Sequence, residues 1–316
     1  MKPFAFVFPG QGSQSVGMLD GWGDNAIVAQ TLVEASDALG EDIGALIKTG
    51  PKEALSLTEN TQPVMLVAGV AAYRVWMSEV GVAPQAVAGH SLGEYSALVA
   101  AGALSLSQAV PLVRLRAKAM QEAVPVGTGA MAAILGMDSD AVAAGCAEVT
   151  QSLGDGTVEV VEAANFNDPL QTVISGSKLA VEKACELLKS RGAKRALPLP
   201  VSAPFHSSLM RPAAEKLKER LDSIEFAQPQ VALINNIDVS VEADADSIRD
   251  ALYRQAFGPV RWVECVRGIK ARQIDCLVEC GPGKVLAGMA KRIDAQMTGL
   301  AMFDTASLAE VKAALA

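Results

Sequence analysis

The chain has 316 residues, half of them hydrophobic but only 4% aromatic, and carries a formal net charge of −8. That length suffices for one large domain, or a domain with a smaller companion, around a sizeable core, while the acidic balance argues against general nucleic-acid binding, which needs a basic face. No apolar run approaches the ~18 residues needed to cross a bilayer; the longest, Pro63 to Tyr73, stops at Arg74.

In chain order, "FAFVFPG" comes first and reads as a strand, being too short and too soon followed by Pro9-Gly10 for a secretion signal. Nothing else suggests export, and a cytoplasmic protein is expected. Pro63 to Glu79 reads as a helix, "AVAG" as a strand, Gly93 to Ala101 as a helix, and about Ser107 to Ala123 as another. Pro111 falls in the first turns of that last helix, where at most one backbone bond is lost. Alternating strands and helices, built largely from Ala, Val and Leu, predict an α/β fold with buried parallel strands.

The rhythm then changes. "GTGAMAAILGM" reads as a strand, Asp138 to Leu153 as a helix, "TVEVVEAANF" and "QTVISGS" as strands, Lys178 to Ser190 as a helix, and "AKRALPLPVS" as a final strand. This β-α-β-β-α-β order is the ferredoxin-like arrangement. It predicts a small subdomain over 126–198, inserted into a larger α/β domain of 1–125 and 199–316. After it come a helix near Ala213 to Ser223, the strand "VALINNI", a helix around Ser247 to Phe257, the strand "DCLVEC" and a helix from Lys284. There is no internal repeat.

Five cysteines (Cys146, Cys185, Cys265, Cys276, Cys280) form no CxxC pair and have no histidine nearby. They predict buried thiols in a reducing compartment and no metal site. No heptad seam demands a dimer, so a monomer is expected.

Within "AVAGHSLGEYSALVAAG", strand, Gly-His-Ser-Leu-Gly and helix follow one another as in a G-x-S-x-G nucleophile elbow. Positions two before and two after the serine must be small for strand and helix to approach, and Gly89 and Gly93 are. Ser91 is thus a candidate nucleophile; the alternative is a turn with a capping serine. A serine hydroxyl needs a base, and the chain has two histidines. His90, adjacent to Ser91, should point away from it and pack beneath the elbow. His206, in "PVSAPFHSSLM", lies just past a predicted strand end, where doubly wound folds place catalytic groups; a partly buried loop histidine is the other reading. In "VPLVRLRAKAMQEAV", Arg116 stands one turn before Met120. It is either a surface arginine or a guanidinium fork that grips a substrate carboxylate.

With those residues in view, the chain resembles the malonyl-CoA:acyl carrier protein transacylases of bacterial fatty-acid synthesis over nearly its full length, and more distantly the acyltransferase domains of polyketide synthases. The resemblance rests on "FAFVFPGQGSQSVGM", "GHSLGEYSALVAAG", "MQEAVPVGTGAM", "NFNDPLQTVISG", "GAKRALPLPVSAPFHSSLM" and "ECGPGKVL" in that order. It implies a hydrolase-like α/β domain carrying the inserted ferredoxin-like subdomain. It further implies that Ser91 accepts the malonyl group and His206 is its base, with Arg116 binding the malonyl carboxylate beside Met120. The backbone N–H groups of Gln11 and Leu92 would form the oxyanion hole. Gln255 matches the position whose main-chain carbonyl orients the histidine in place of an acid; the family often has a polar residue where Gly258 stands. Phe205 before His206 resembles the malonyl-selective form of the motif. The implied substrates are malonyl-CoA and holo-acyl carrier protein, with no further cofactor. Lys194 and Arg195, at the end of the subdomain, are candidates for docking the acidic carrier protein, or else solvated charges on a strand end. A serine hydrolase shares the same elbow, base and oxyanion hole, so Arg116 is what favours transfer of a carboxylated acyl group.

Overall fold

The computed structural model describes residues 1–154, 158–201 and 203–316. Its strands are β1 (Ala5–Phe8), β2 (Ala86–Gly89), β3 (Gly129–Leu135), β4 (Val161–Asp168), β5 (Gln171–Ser177), β6 (Arg195–Pro198), β7 (Ala232–Ile234), β8 (Cys276–Cys280) and β9 (Thr298–Met302). They fall into two sheets, one in each of two compact units.

The first unit comprises Met1–Ala117, Ile224–Ile248 and Cys265–Ala316. Its sheet has the order β7-β2-β1-β8-β9, and every neighbouring pair is parallel. Strands buried on both faces should be continuously apolar, and β1, reading Ala-Phe-Val-Phe, is buried at all four positions. Aromatic side chains cluster here. Phe4 and Phe6 meet Trp76 edge-on at 5.4 and 5.6 Å, and Phe6 meets Tyr73 at 5.8 Å. These contacts pin the helix Thr58–Glu79 across the strand. Among the described residues no helix is long and apolar enough to cross a membrane.

That helix starts five residues before the expected Pro63. Proline removes one N–H and clashes with the preceding turn, but Thr58 and Thr61 anchor the start from outside: the Thr61 hydroxyl donates to Leu55 O at 2.7 Å. On β8, Glu279 is completely buried. Its Oε2 accepts from the Ala287 amide at 2.9 Å, holding the start of the helix Val285–Ile293. Desolvation pushes the Glu279 carboxyl up to about 7 against the pull of three helix amides.

The second unit comprises Lys118–Ser223 and Arg249–Glu264. Its sheet has the order β4-β5-β3-β6 and is antiparallel throughout. Two helices, Ser139–Leu153 and Lys178–Ser190, bury Val142, Cys146, Ala184 and Leu188 against Ala132, Ile134 and Ile174. Asp138 caps the first of them by accepting from the Asp140 amide at 2.9 Å. The distant segment 249–264 joins this unit through its backbone: Val260 N donates to Ala164 O at 2.8 Å and Phe166 N to Val260 O at 2.9 Å.

Element ends moved where side-chain pattern and backbone pairing diverge. Only Ala232–Ile234 of "VALINNI" pairs, because Asn235 and Asn236 turn their side chains to other work. In "TVEVVEAANF" pairing begins at Val161 and runs on to Asp168, while "AKRALPLPVS" pairs over Arg195–Pro198 alone. Thr157 and Ser202, at the ends of those two expected strands, lie outside the described residues. The helices Ala26–Leu39, Ile43–Thr49, Lys52–Leu55, Trp262–Lys270 and Thr305–Leu315 and the edge strand β9 were not anticipated.

Candidate active site

Strand β2 ends at Gly89 and the helix Gly93–Ala100 begins four residues later. Ser91 sits between them at φ 52°, in the left-handed region, where an L-residue pays roughly 1–2 kcal/mol. The flanking glycines are a steric requirement. A Cβ on Gly89 would come within 1.8 Å of the Gly93 carbonyl carbon, and one on Gly93 within 2.0 Å of Phe8 O. No side chain fits either gap. The turn is also tied from the side by Asn236, whose Nδ2 donates to Gly89 O at 2.6 Å. Its Oδ1 accepts from the Ser91 amide at 2.7 Å, and its own amide donates to the buried Glu94 carboxylate at 2.9 Å.

Because the Ser91 amide is occupied, the next main-chain donor on the turn is Leu92. Neither the Leu92 N–H nor the Gln11 N–H donates to a protein acceptor among the described residues. Gln11 follows β1 in the Pro9–Gly12 stretch, and a Cβ on Gly10 would lie 2.8 Å from His90 O, so this loop runs directly against the elbow. His90 is half-buried there, its amide donating to Phe8 O at 2.9 Å.

Arg116 is 2% exposed, so a surface arginine is excluded. Its Nη2 donates to Ser91 Oγ at 3.2 Å and its Nη1 to Gln62 Oε1 at 2.6 Å, while its guanidinium lies over the Tyr95 ring, 5.4 Å from the centroid. Burial lowers its pKa, opposed by Tyr95 and Glu94, and burial pushes the Tyr95 hydroxyl up to about 12. The hydrogen-bonded series continues outward. Gln62 Nε2 donates to Thr58 Oγ1 at 3.2 Å, and Thr58 Oγ1 donates to Gln11 Oε1 at 2.5 Å. One connected set of side chains thus runs from the loop after β1 to the serine. Met120, one turn beyond Arg116 on the helix Leu106–Glu122, is 1% exposed.

In the second unit His206 is buried and held at φ 61°. Its Nδ1 lies 3.0 Å from Gln255 O and 3.2 Å from Gly258 O. Carbonyl oxygens only accept, so the proton sits on Nδ1 and Nε2 carries the lone pair. Phe205 beside it is also buried. Lys194 and Arg195 are exposed at the start of β6. The structure therefore joins Ser91, Arg116 and the loop of Gln11 within one unit, and His206 with Gln255 within the other. Reading the sequence missed Asn236, Gln62 and Glu94. The bonds that tie them to Ser91, Gly89 and Arg116 or to each other span 54 to 147 residues, and the one local signal was a pair of asparagines interrupting a strand.

Among the described residues no group of three His, Cys, Asp or Glu side chains is placed to hold a metal. None of the five cysteines forms a disulfide, and burial pushes Cys146 up to about 12 and Cys276 to about 11, well above the range of a reactive thiolate.

The strained serine at a parallel-strand end is clamped by glycines and touches a buried arginine, and the chain belongs to the acyl transferase domain family, whose model matches residues 5–300. It is 52% identical over 310 residues, 98% of each chain, to the malonyl CoA-acyl carrier protein transacylase of Escherichia coli K12. It also matches the crystal structure of an acyl-carrier-protein S-malonyltransferase from Burkholderia pseudomallei, at 60% identity and a TM-score of 0.94 over 98% of this chain and 99% of that one. A further solved structure, of a malonyl-transacylase in complex with a type II polyketide-synthase acyl-carrier protein, matches at 51% identity and a TM-score of 0.94 over 98% of both chains.

Proposed function

We infer that this chain transfers the malonyl group from malonyl-CoA to the phosphopantetheine thiol of acyl carrier protein, supplying malonyl carrier protein for fatty-acid elongation. The observation that carries the reading is the 3.2 Å approach of the buried Arg116 to Ser91 Oγ. A hydrolase of neutral esters has no use for a desolvated guanidinium beside its nucleophile, whereas a malonyl thioester has a carboxylate to offer it.

In the proposed reaction His206 Nε2 takes the Ser91 proton as Oγ attacks the thioester carbonyl. The tetrahedral oxyanion accepts from the Gln11 and Leu92 N–H groups; losing one such donor typically costs about 3 kcal/mol. The C–S bond breaks, coenzyme A leaves as its thiol with the proton carried by His206, and a malonyl-serine ester remains. The carrier-protein thiol, with a free pKa near 8.5, then gives its proton to His206 and attacks the ester. Ser91 is regenerated. Thioester is exchanged for thioester through a ping-pong sequence, so the two substrates suffice and no further cofactor is required. Arg116 fixes the malonyl carboxylate, Met120 lines its side, and the Gln255 carbonyl orients the imidazole.

The same reading gives residues 1–125 and 199–316 as a hydrolase-like domain and 126–198 as a ferredoxin-like subdomain; the parallel order of the first sheet and the β4-β5-β3-β6 order of the second support it. Lys194 and Arg195 are proposed to dock the acidic carrier protein, supported by their exposure on an edge strand. Cysteines without disulfides suit the reducing cytoplasm, and the chain is proposed to act as a monomer, since one chain holds every group the reaction needs. Incubation with malonyl-CoA followed by peptide mass spectrometry should find the malonyl adduct on Ser91. Carrier protein should discharge it to malonyl carrier protein far faster than water does. Release of free malonate at the same rate with and without carrier protein would identify a hydrolase instead.

A further inference from the structure

The backbone around His206 is strained, and something must hold it. A histidine at φ 61° costs roughly 1–2 kcal/mol relative to ordinary backbone, and a relaxed φ would swing the imidazole away from its two carbonyl partners. Anchors act on either side of it. Just after it, the Ser207 hydroxyl donates to Pro204 O at 2.7 Å, a local bond that travels with the loop. Ser208 N, the first amide of the short 3-10 turn Ser208–Met210 that leads into the helix Arg211–Asp222, donates to Glu162 Oε2 at 2.6 Å. This bond reaches 46 residues back in the chain to strand β4. It is charge-assisted and placed at the positive end of a helical segment, where a carboxylate is most favourable.

The same strand fixes the other side of the imidazole. β4 pairs with Val260 through Ala164 O and Phe166 N, two residues beyond Gly258 and five beyond Gln255. One strand thus bonds both to the histidine loop and to the segment whose carbonyls orient its ring. We propose that Glu162 is a positioning residue for His206: its carboxylate, by anchoring the Ser208 amide to β4, keeps the strained histidine in register with the Gln255 and Gly258 carbonyls. The proposal rests on His206 being the base for Ser91.

The test is single-turnover acylation of Ser91 by malonyl-CoA in full-length variants, with KM for malonyl-CoA and thermal unfolding measured alongside. Glu162→Ala should slow acylation about tenfold to a hundredfold, the usual consequence of a catalytic group displaced by about an ångström. KM for malonyl-CoA should be unchanged. Glu162→Gln, which keeps an oxygen able to accept from Ser208 N, should restore most of the rate. Ser208→Pro removes the donor instead, and its backbone suits proline: Ser207 is extended at φ −121°, ψ 165°, and the first position of a helical turn tolerates proline. It should slow acylation as Glu162→Ala does, and it carries the test alone if Glu162→Ala fails to fold. Parent-like acylation in Glu162→Ala or Ser208→Pro overturns the proposal, as does Glu162→Gln being as slow as Glu162→Ala. His206→Ala separates the two levels: if it acylates at the parent rate, the assignment of the base is what has failed.

Discussion

Replacing Arg116 by alanine should change which acyl group the enzyme prefers, and the size of the change follows from what the guanidinium does in the free protein. Its Nη1 already donates to Gln62 Oε1 and its Nη2 to Ser91 Oγ. A malonyl carboxylate therefore does not add two new bonds to an idle side chain. It exchanges the neutral hydroxyl acceptor for an ionised one, and that exchange is worth about one charge-assisted hydrogen bond, roughly 1.5–3 kcal/mol. At about 1.4 kcal/mol per factor of ten, kcat/KM for malonyl-CoA should fall some tenfold to a few hundredfold. Acetyl-CoA has no carboxylate to lose and should fall little, or gain, because a desolvated charge no longer disfavours a neutral chain. Arg116→Lys keeps the charge without the planar fork and should fall between the two. The assay is kcat/KM for both thioesters in each variant, with unfolding curves to confirm folding. A malonyl-to-acetyl ratio equal in parent and Arg116→Ala would refute the assignment of the carboxylate to this side chain.

Asn236→Ala removes the acceptor of the Ser91 amide and the donor to the Gly89 carbonyl, at about 1–3 kcal/mol each; denaturant unfolding should show a loss in that range, together with slower acylation of Ser91. Glu279→Gln should become progressively more stabilising relative to the parent as pH rises. The folded carboxyl titrates near 7 against an ordinary 4.5, so the parent is fully stable with Glu279 protonated below about 4.5 and loses about 3 kcal/mol as pH climbs through 7. A stability difference between the two proteins that does not vary with pH counts against this. Reversing the charges of Lys194 and Arg195 should raise KM for carrier protein while leaving KM for malonyl-CoA alone, and added salt should weaken the parent's use of carrier protein; a salt-independent KM would remove them from the docking surface.

The parts of this protein legible in its sequence are those whose cause is local. "QTVISGS" and the helix Lys178–Ser190 were bounded to the residue, because a short β-branched run gives way to helical spacing after one serine. The elbow was legible because its two glycines answer to backbone clashes, Gly89 with Gly93 four residues on and Gly93 with Phe8 of β1, that show directly in residue type. The helix Ala26–Leu39 also carried a readable signal, an asparagine cap at Asn25 and a left-handed Gly40 at φ 71°, which the strand and motif pattern overshadowed. The helices Ile43–Thr49 and Lys52–Leu55 are too short to hold by propensity and form because tertiary packing supports them. In the site, Ser91 stood out by its spacing and His206 by its place after a strand end, while the role of Arg116 came from the family resemblance. Asn236, Gln62, Glu94 and Glu162 did not, since a buried amide or carboxylate that braces another residue leaves its mark only in space.

The imidazole of His206 takes its bearing from two main-chain oxygens. Every amino acid supplies that oxygen, so a codon change at position 255 or 258 cannot delete the contact as it could delete an aspartate. Only a shift in the course of the chain itself can do so, through a proline, an insertion or a slipped strand. The demand of orientation thereby falls on whatever keeps the neighbouring backbone on its path.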